Sequence, residues 1–250
     1  MINQNIFRRL FHSMIAQSTS KSHSHLKSAH QKIPPHVFFE RARRPILCRS
    51  VISPWGNEDT QELIDILARY NVKATFFVVG DWVDKYPESV KALHDAGHEV
   101  MNHSNTHAHM SKLSRDEIIA DVEACNDKIE AVTGVRPTLI RPPYGEYNDT
   151  VISAIRSIGM EPIQWDVDSL DWKDLSASEI TQRVTSKVQP GSIVLFHNAA
   201  LHTPEALPAI LETLLQEGYT FVPISQLILP GTCGTDYTID HTGRQCPACP

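Results

Sequence analysis

The chain has 250 residues, 41% hydrophobic and 21% charged, with a formal charge of −6. That is enough for one large α/β domain or two small ones, the composition is that of ordinary soluble proteins, and no stretch reaches the roughly 18 apolar residues of a membrane span. The charge is uneven: residues 1–50 hold nine Lys/Arg against Glu40 alone, a net of +8, and residues 51–250 a net of −14. The acidic body argues against nucleic acid as the main partner, because phosphates require a basic surface.

Residues 1–45 show no sustained periodicity and read as tail or linker, so a disordered or non-native N-terminal segment is expected over 1–50. It is Arg/Ser/His-rich and acid-poor, as transit peptides are, but no secretory signal is readable in it. From Val51 strands and helices alternate. Thr60–Tyr70 places Leu63, Ile64, Leu67 and Tyr70 on one helical face. Ala74–Val79 is a buried strand. Pro87–Ala96 is a helix stopped by Gly97, and Glu99–Met101 a short strand. Ser114–Thr133 is a helix opened by the capping box Ser114/Glu117 and stopped by Gly134. Thr138–Arg141 reads as a strand, Asn148–Ile158 as a helix and Glu161–Asp166 as a strand. A second capping box, Ser176/Glu179, opens a helix to Val188. Ser192–Phe196 is a strong strand, Pro204–Glu217 a helix and Phe221–Val222 a strand. After Ile228 the chain reads as a Pro/Gly/Thr-rich tail over 229–250.

The βαβα rhythm predicts a parallel α/β sheet, open or closed into a barrel, with functional groups at the C-terminal ends of its strands. Four candidate groups lie at such ends. His103 and His107, at i and i+4, can face one metal ion if they share a helical turn, whereas His109 is expected to point elsewhere. Arg141-Pro-Pro-Tyr-Gly145 is a stiff loop in which an exposed arginine can hold a carboxylate, or a backbone N–H can meet an oxyanion. Asp166, Asp168, Asp171 and Trp172 offer a carboxylate to orient a histidine and an aromatic wall for a sugar. His197 ends a buried strand and suits a general acid or base. Each group has an ordinary structural reading as well: surface histidines, a Pro-Gly turn, a capping loop, a core histidine. Their joint placement at the ends of one sheet is more specific than any one of them. The cysteines Cys48, Cys125, Cys233, Cys246 and Cys249 are odd in number and give no disulfide framework, and the lone Cys246–Cys249 pair reads as tail thiols.

His103-Ser-Asn-Thr-His107, Arg141-Pro-Pro-Tyr-Gly145, Asp171-Trp172 and Leu195-Phe-His197 resemble motifs two to five of the polysaccharide deacetylase family, also called the NodB-homology or carbohydrate esterase family 4 domain. The resemblance runs from about Trp55 to Ile228 and is strongest to the sporulation-deacetylase subgroup. It implies a distorted (β/α) barrel of about seven parallel strands over 51–228, and metal-dependent removal of N-acetyl groups from a peptidoglycan or chitin-like polysaccharide. By the family's logic, His103 and His107 hold a divalent metal, zinc by preference. His197, tuned by Asp171, protonates the leaving amine, Arg141 orients the base, and the Tyr144 N–H meets the oxyanion. Pro143, Trp172 and Leu195 line the substrate pocket. The resemblance also suggests a cell-envelope or extracellular setting.

Motif one departs from the pattern. The family's base aspartate falls at Ile52 and its second aspartate at Ser53, and Arg49-Ser-Val-Ile-Ser-Pro54 contains no carboxylate. Either the domain is a natural pseudo-enzyme, or residues 1 to about 54 are a frameshifted or wrongly joined stretch; the charge break, ending where the match begins, favours the second. Glu58 and Asp59 are the nearest acids. Without its base the fold can still act as a sugar-binding module, and a different C–N hydrolase on the same barrel is a further alternative.

Overall fold

The structure, a computed structural model, describes residues 46–51, 56–229, 236–239 and 245–247, with the backbone alone at 46–51, 237, 239 and 245–247. The expectation of a disordered segment falls outside these residues over 1–45, as do Ile52 and Ser53.

The described strands of the body are all parallel. They are β1 (Ile46–Val51), β2 (Thr75–Val78), β3 (Glu99–Asn102), β4 (Leu139–Ile140), β5 (Glu161–Pro162), β6 (Val167–Asp168) and β7 (Ile193–His197), in spatial order β5-β4-β3-β2-β1-β7-β6. β1 is an interior strand, in register with β2 (Val51 opposite Val78) and β7 (Ser50 opposite His197). β1 thus reaches five residues upstream of the expected boundary at residue 51, between β2 and β7. Read from the β6 edge the order is β6-β7-β1-β2-β3-β4-β5, one continuous direction as in a (β/α) barrel, where functional groups sit at the C-terminal ends of the strands.

The helices are α1 (Thr60–Arg69), α2 (Gly80–Lys85), α3 (Pro87–Asp95), α4 (Arg115–Thr133), α5 (Asp149–Ser157), α6 (Ala177–Thr185) and α7 (Thr203–Gln216). Both expected capping boxes form: the Ser114 and Ser176 hydroxyls accept from the Glu117 and Glu179 amides, and each glutamate reaches back to its serine N–H. Gly134 closes α4 at φ 75°, a left-handed geometry that costs glycine nothing.

The sheet divides the core. Phe76, Val78, Val194 and Phe196 point into one large cluster with Leu63, Leu67, Trp82 and Leu211. The alternate residues Phe77, Met101 and Ile193 point the other way, into a smaller cluster with Ile163, Val222 and Ile224. Period-two alternation thus places both faces of each strand in apolar surroundings, as a covered parallel sheet requires.

Three expectations are corrected. The strand expected over Glu161–Asp166 pairs only at Glu161–Pro162; Asp166 turns instead to β7 at the far side of the sheet, donating its N–H to the Ile193 carbonyl (3.2 Å) and accepting from the Ser192 hydroxyl (2.7 Å) and the Ile193 N–H (2.7 Å), and β6 follows it. Phe221–Val222 is buried but forms no strand. The short helix α2 was not expected from the sequence, since it opens on a glycine and has no side-chain cap. Beyond the body, Tyr237–Ile239 (β8) and Gln245–Pro247 (β9) form an antiparallel ribbon within the stretch read as a tail.

Candidate active site

His103 follows β3 directly, Arg141 follows β4, Asp171 lies three residues past β6, and His197 ends β7. Parallel pairing brings these four to one edge of the sheet.

His103 is buried, and its Nδ1 lies 2.6 Å from the Arg141 carbonyl oxygen. A carbonyl only accepts, so Nδ1 carries the proton and Nε2 keeps its lone pair, the arrangement in which histidine binds metal. The His107 ring meets the His103 ring edge-on, 5.0 Å between centroids, and His107 Nε2 is buried with no hydrogen-bond partner among the described residues. Burial, then the neighbouring His107, pushes His103 well below the usual imidazole range; burial, then His109 and His197, pushes His107 down to about 4. Both rings are neutral at neutral pH, as ligands must be. The expected helical turn is absent. Ser104 (φ 70°) and His107 (φ 56°) are left-handed, and the Ser104 hydroxyl accepts from the His107 N–H at 2.7 Å, so a tight loop brings the rings together.

Arg141 is buried rather than exposed. Its guanidinium lies 4.5 Å from the Phe77 ring centroid and 5.5 Å from that of Trp165, cation–π contacts that draw it under the sheet edge. In the loop after it Tyr144 takes φ 59° and Gly145 φ 65°. The Tyr144 ring stacks on His109 (4.1 Å, 10°) and touches His107 edge-on (4.6 Å). His109 Nδ1 lies 3.1 Å from both Glu146 carboxylate oxygens.

Asp171 is buried and reaches His197 twice. Asp171 Oδ1 lies 2.8 Å from His197 Nδ1, and Oδ2 accepts from the His197 N–H at 2.9 Å and the Thr203 hydroxyl at 2.6 Å. Burial would raise this carboxyl, but His197 and the three hydrogen bonds hold it below the ordinary range. Nδ1 is thereby fixed as a donor, leaving Nε2 as the atom that exchanges protons. Trp172, half-buried, meets the His197 ring at 6.5 Å, and Leu195, on β7, and Pro143, in the loop after β4, are both buried. Asp168 serves structure, accepting from the Leu170 N–H at 2.9 Å. Asp59 is turned toward the loop after β7, where its Oδ2 accepts from the Ala199 N–H at 3.0 Å, and the Glu58 carboxylate folds back over Gly56. Sequence reasoning missed Thr203 and Asp121, whose carboxylate accepts from the Asn105 N–H at 2.8 Å and the Thr106 hydroxyl at 3.0 Å. No local pattern marks either residue, because their partners lie 32 and 16 positions away.

The two imidazoles suit a divalent metal: one nitrogen is orphaned and buried, and the other ring is oriented by a carbonyl. Among the described residues no set of three His, Cys, Asp or Glu side chains gathers to complete a cage.

The polysaccharide deacetylase family profile matches residues 52–163. YlxY of Bacillus subtilis, an uncharacterised protein, is 31% identical over 214 residues, covering 86% of this chain and 66% of its own length. The Bacillus subtilis peptidoglycan-N-acetylmuramic acid deacetylase PdaC is 38% identical over 168 residues, 67% of this chain and 35% of that protein. The chain belongs to the polysaccharide deacetylase family. Among solved structures, BA3943 of Bacillus anthracis, described as a CE4 family pseudoenzyme, superposes with a TM-score of 0.73 at 35% identity over 80% of this chain and 72% of that one. The chain spans about two thirds of YlxY and about a third of PdaC. The expected α/β fold of this family, with its parallel strands, stands; the edge strands β5 and β6 are not paired with each other among the described residues.

Proposed function

We propose that this domain binds an N-acetylated polysaccharide of peptidoglycan or chitin type at a zinc pocket held by His103 and His107, and that it turns the polymer over poorly. The observation that carries the reading is the orphaned, buried Nε2 of His107 beside His103, at the same sheet edge as the Asp171–His197 pair. When bound, the divalent metal would polarise the acetyl carbonyl and acidify water. The chain's own groups have separate tasks. His197 Nε2 delivers the proton to the departing amine while Asp171 holds its ring. The Tyr144 N–H faces the developing oxyanion, and Pro143, Trp172 and Leu195 pack around the acetyl methyl. Arg141, buried against the Phe77 and Trp165 rings, would orient a base, as the family resemblance implies.

That position is empty of carboxylate, because the sequence after Val51 reads Ile52-Ser53. Asp59, tied to Ala199, and Glu58, folded over Gly56, are no substitutes. The pseudo-enzyme reading is preferred to a frameshift. A 214-residue alignment within 250 residues has to begin at or before residue 37, upstream of β1, and β1 itself fits the sheet.

The test is acetate release from N-acetylated oligosaccharides with zinc or cobalt in excess. The unmodified chain should bind metal and glycan but release little acetate, and Ile52→Asp should raise release by about 10²–10⁴-fold, the worth of a positioned base. His197→Ala in the Ile52→Asp background should abolish the gain. Equal rates for the unmodified chain and Ile52→Asp would refute the broken-base reading. Ammonia in place of acetate would select a different C–N hydrolase.

A further inference from the structure

We propose that Asp121, on α4, is a positioning residue that fixes the His103–His107 loop and with it the paired imidazoles; its effect on metal binding rests on the zinc-pocket reading above.

The loop is not self-supporting. Ser104 and His107 are both left-handed, at φ 70° and 56°, a conformation that L-residues with a Cβ adopt only when their surroundings impose it. Part of the support is local: the Asn102 side-chain oxygen accepts from the Ser104 N–H at 2.7 Å, and the Ser104 hydroxyl from the His107 N–H at 2.7 Å. Part comes from α2, where the Gly80 and Asp81 amides donate to the Ser104 and Asn105 carbonyls at 3.0 and 3.1 Å. These bonds leave the Asn105 N–H and the Thr106 hydroxyl. A single carboxylate takes both, Asp121 Oδ2 at 2.8 Å and Oδ1 at 3.0 Å, at the two consecutive residues midway between the histidines.

Ionised acceptors make stronger bonds than neutral ones, and a carboxylate that spans two consecutive residues fixes direction as well as distance. The platform beneath it is rigid: Ile118, Val122, Cys125 and Ile129 bury the inner face of α4. The same helix also grips the start of the loop, since the Asn102 amide donates to the Val122 carbonyl at 2.9 Å and to Asn126 at 2.8 Å. α4 thus holds both the strand end from which His103 departs and the segment that carries the chain to His107. A site set on a rigid element by a supporting hydrogen bond keeps the geometry its chemistry requires.

The experiment uses the full chain, titrated with cobalt(II), alongside amide hydrogen exchange of the apo protein. The variants are Asp121→Ala, Asp121→Asn and, as a control on the same helix, Glu123→Ala, which removes only a surface ion pair with Arg136. Asp121→Ala should weaken cobalt affinity about 10–100-fold, as loss of an outer-shell partner does elsewhere, and should speed exchange at the Asn105 and His107 amides. Asp121→Asn keeps one acceptor oxygen and should fall between, and Glu123→Ala should match wild type in both readouts. If Asp121→Ala does not fold, Asp121→Asn carries the comparison. A general loss of stability would move exchange throughout α4 and the sheet together, and overturns the proposal, as does wild-type exchange at Asn105. If the wild type binds no cobalt, the zinc reading fails, and exchange confined to the loop still decides the role of Asp121.

Discussion

Asp171 and His197 make two contacts with each other, one through the imidazole Nδ1 at 2.8 Å and one through the His197 backbone N–H at 2.9 Å. The second contact fixes where β7 ends, and the first fixes how the ring is turned once it ends there.

Asp171→Ala therefore removes an acceptor from a buried hydroxyl, Thr203, as well as from His197. The expected loss is about 1–3 kcal/mol, with Tm falling about 2–4 °C per kcal/mol for a domain of this size. Because the folded carboxyl is held below its usual value, its contribution is present above about pH 4 and disappears as pH falls through the folded value. Calorimetry from pH 7 to 3 should show the wild-type advantage over Asp171→Ala shrinking only at the acid end. An advantage that is constant with pH would mean Asp171 is not held as an ion.

His98 gives a pH response separate from the candidate site. Burial, then the charge of Lys73, lowers it to about 4, and its Nδ1 accepts from the Ala74 N–H at 3.1 Å. The neutral ring is the one that fits, so the unfolded chain binds the proton more readily between about pH 6.5 and 4. Stability should fall as pH is lowered through that window. His98→Asn, which keeps an acceptor oxygen near the Nδ1 position but cannot titrate, should flatten that part of the curve. Parallel Tm–pH curves for the two proteins would contradict the assignment.

Gly145 adopts φ 65°, and a Cβ built there would lie 2.8 Å from the Trp165 ring and 3.2 Å from the Gln164 side-chain amide. Gly145→Ala meets both a backbone penalty of about 1–2 kcal/mol and a clash with an indole edge. Denaturation should show a loss of at least that size, and Trp165 fluorescence should shift as its ring gives way. A neutral Gly145→Ala would show that the loop can move as a unit.

The sequence determined the order of elements, the helix starts at Ser114 and Ser176 and the glycine stops, because caps and periodicity act within a few residues and need no distant partner. It also determined that His103, Arg141, Asp171 and His197 share an edge, since parallel strands put their C-terminal ends on one side. Only the tertiary structure decided how these residues stand there. Arg141 is drawn inward by the Phe77 and Trp165 rings, and the histidines meet across a left-handed loop where their spacing alone had suggested a helical turn. The strand expected up to Asp166 stops at Pro162 because Asp166 is bound, by backbone and carboxylate, to Ser192 and Ile193 on the other side of the sheet. Asp121 and Thr203 enter the site through contacts 15 or more positions distant in the chain. Such contacts depend on how the elements pack, and packing is set by long-range burial that no local pattern records.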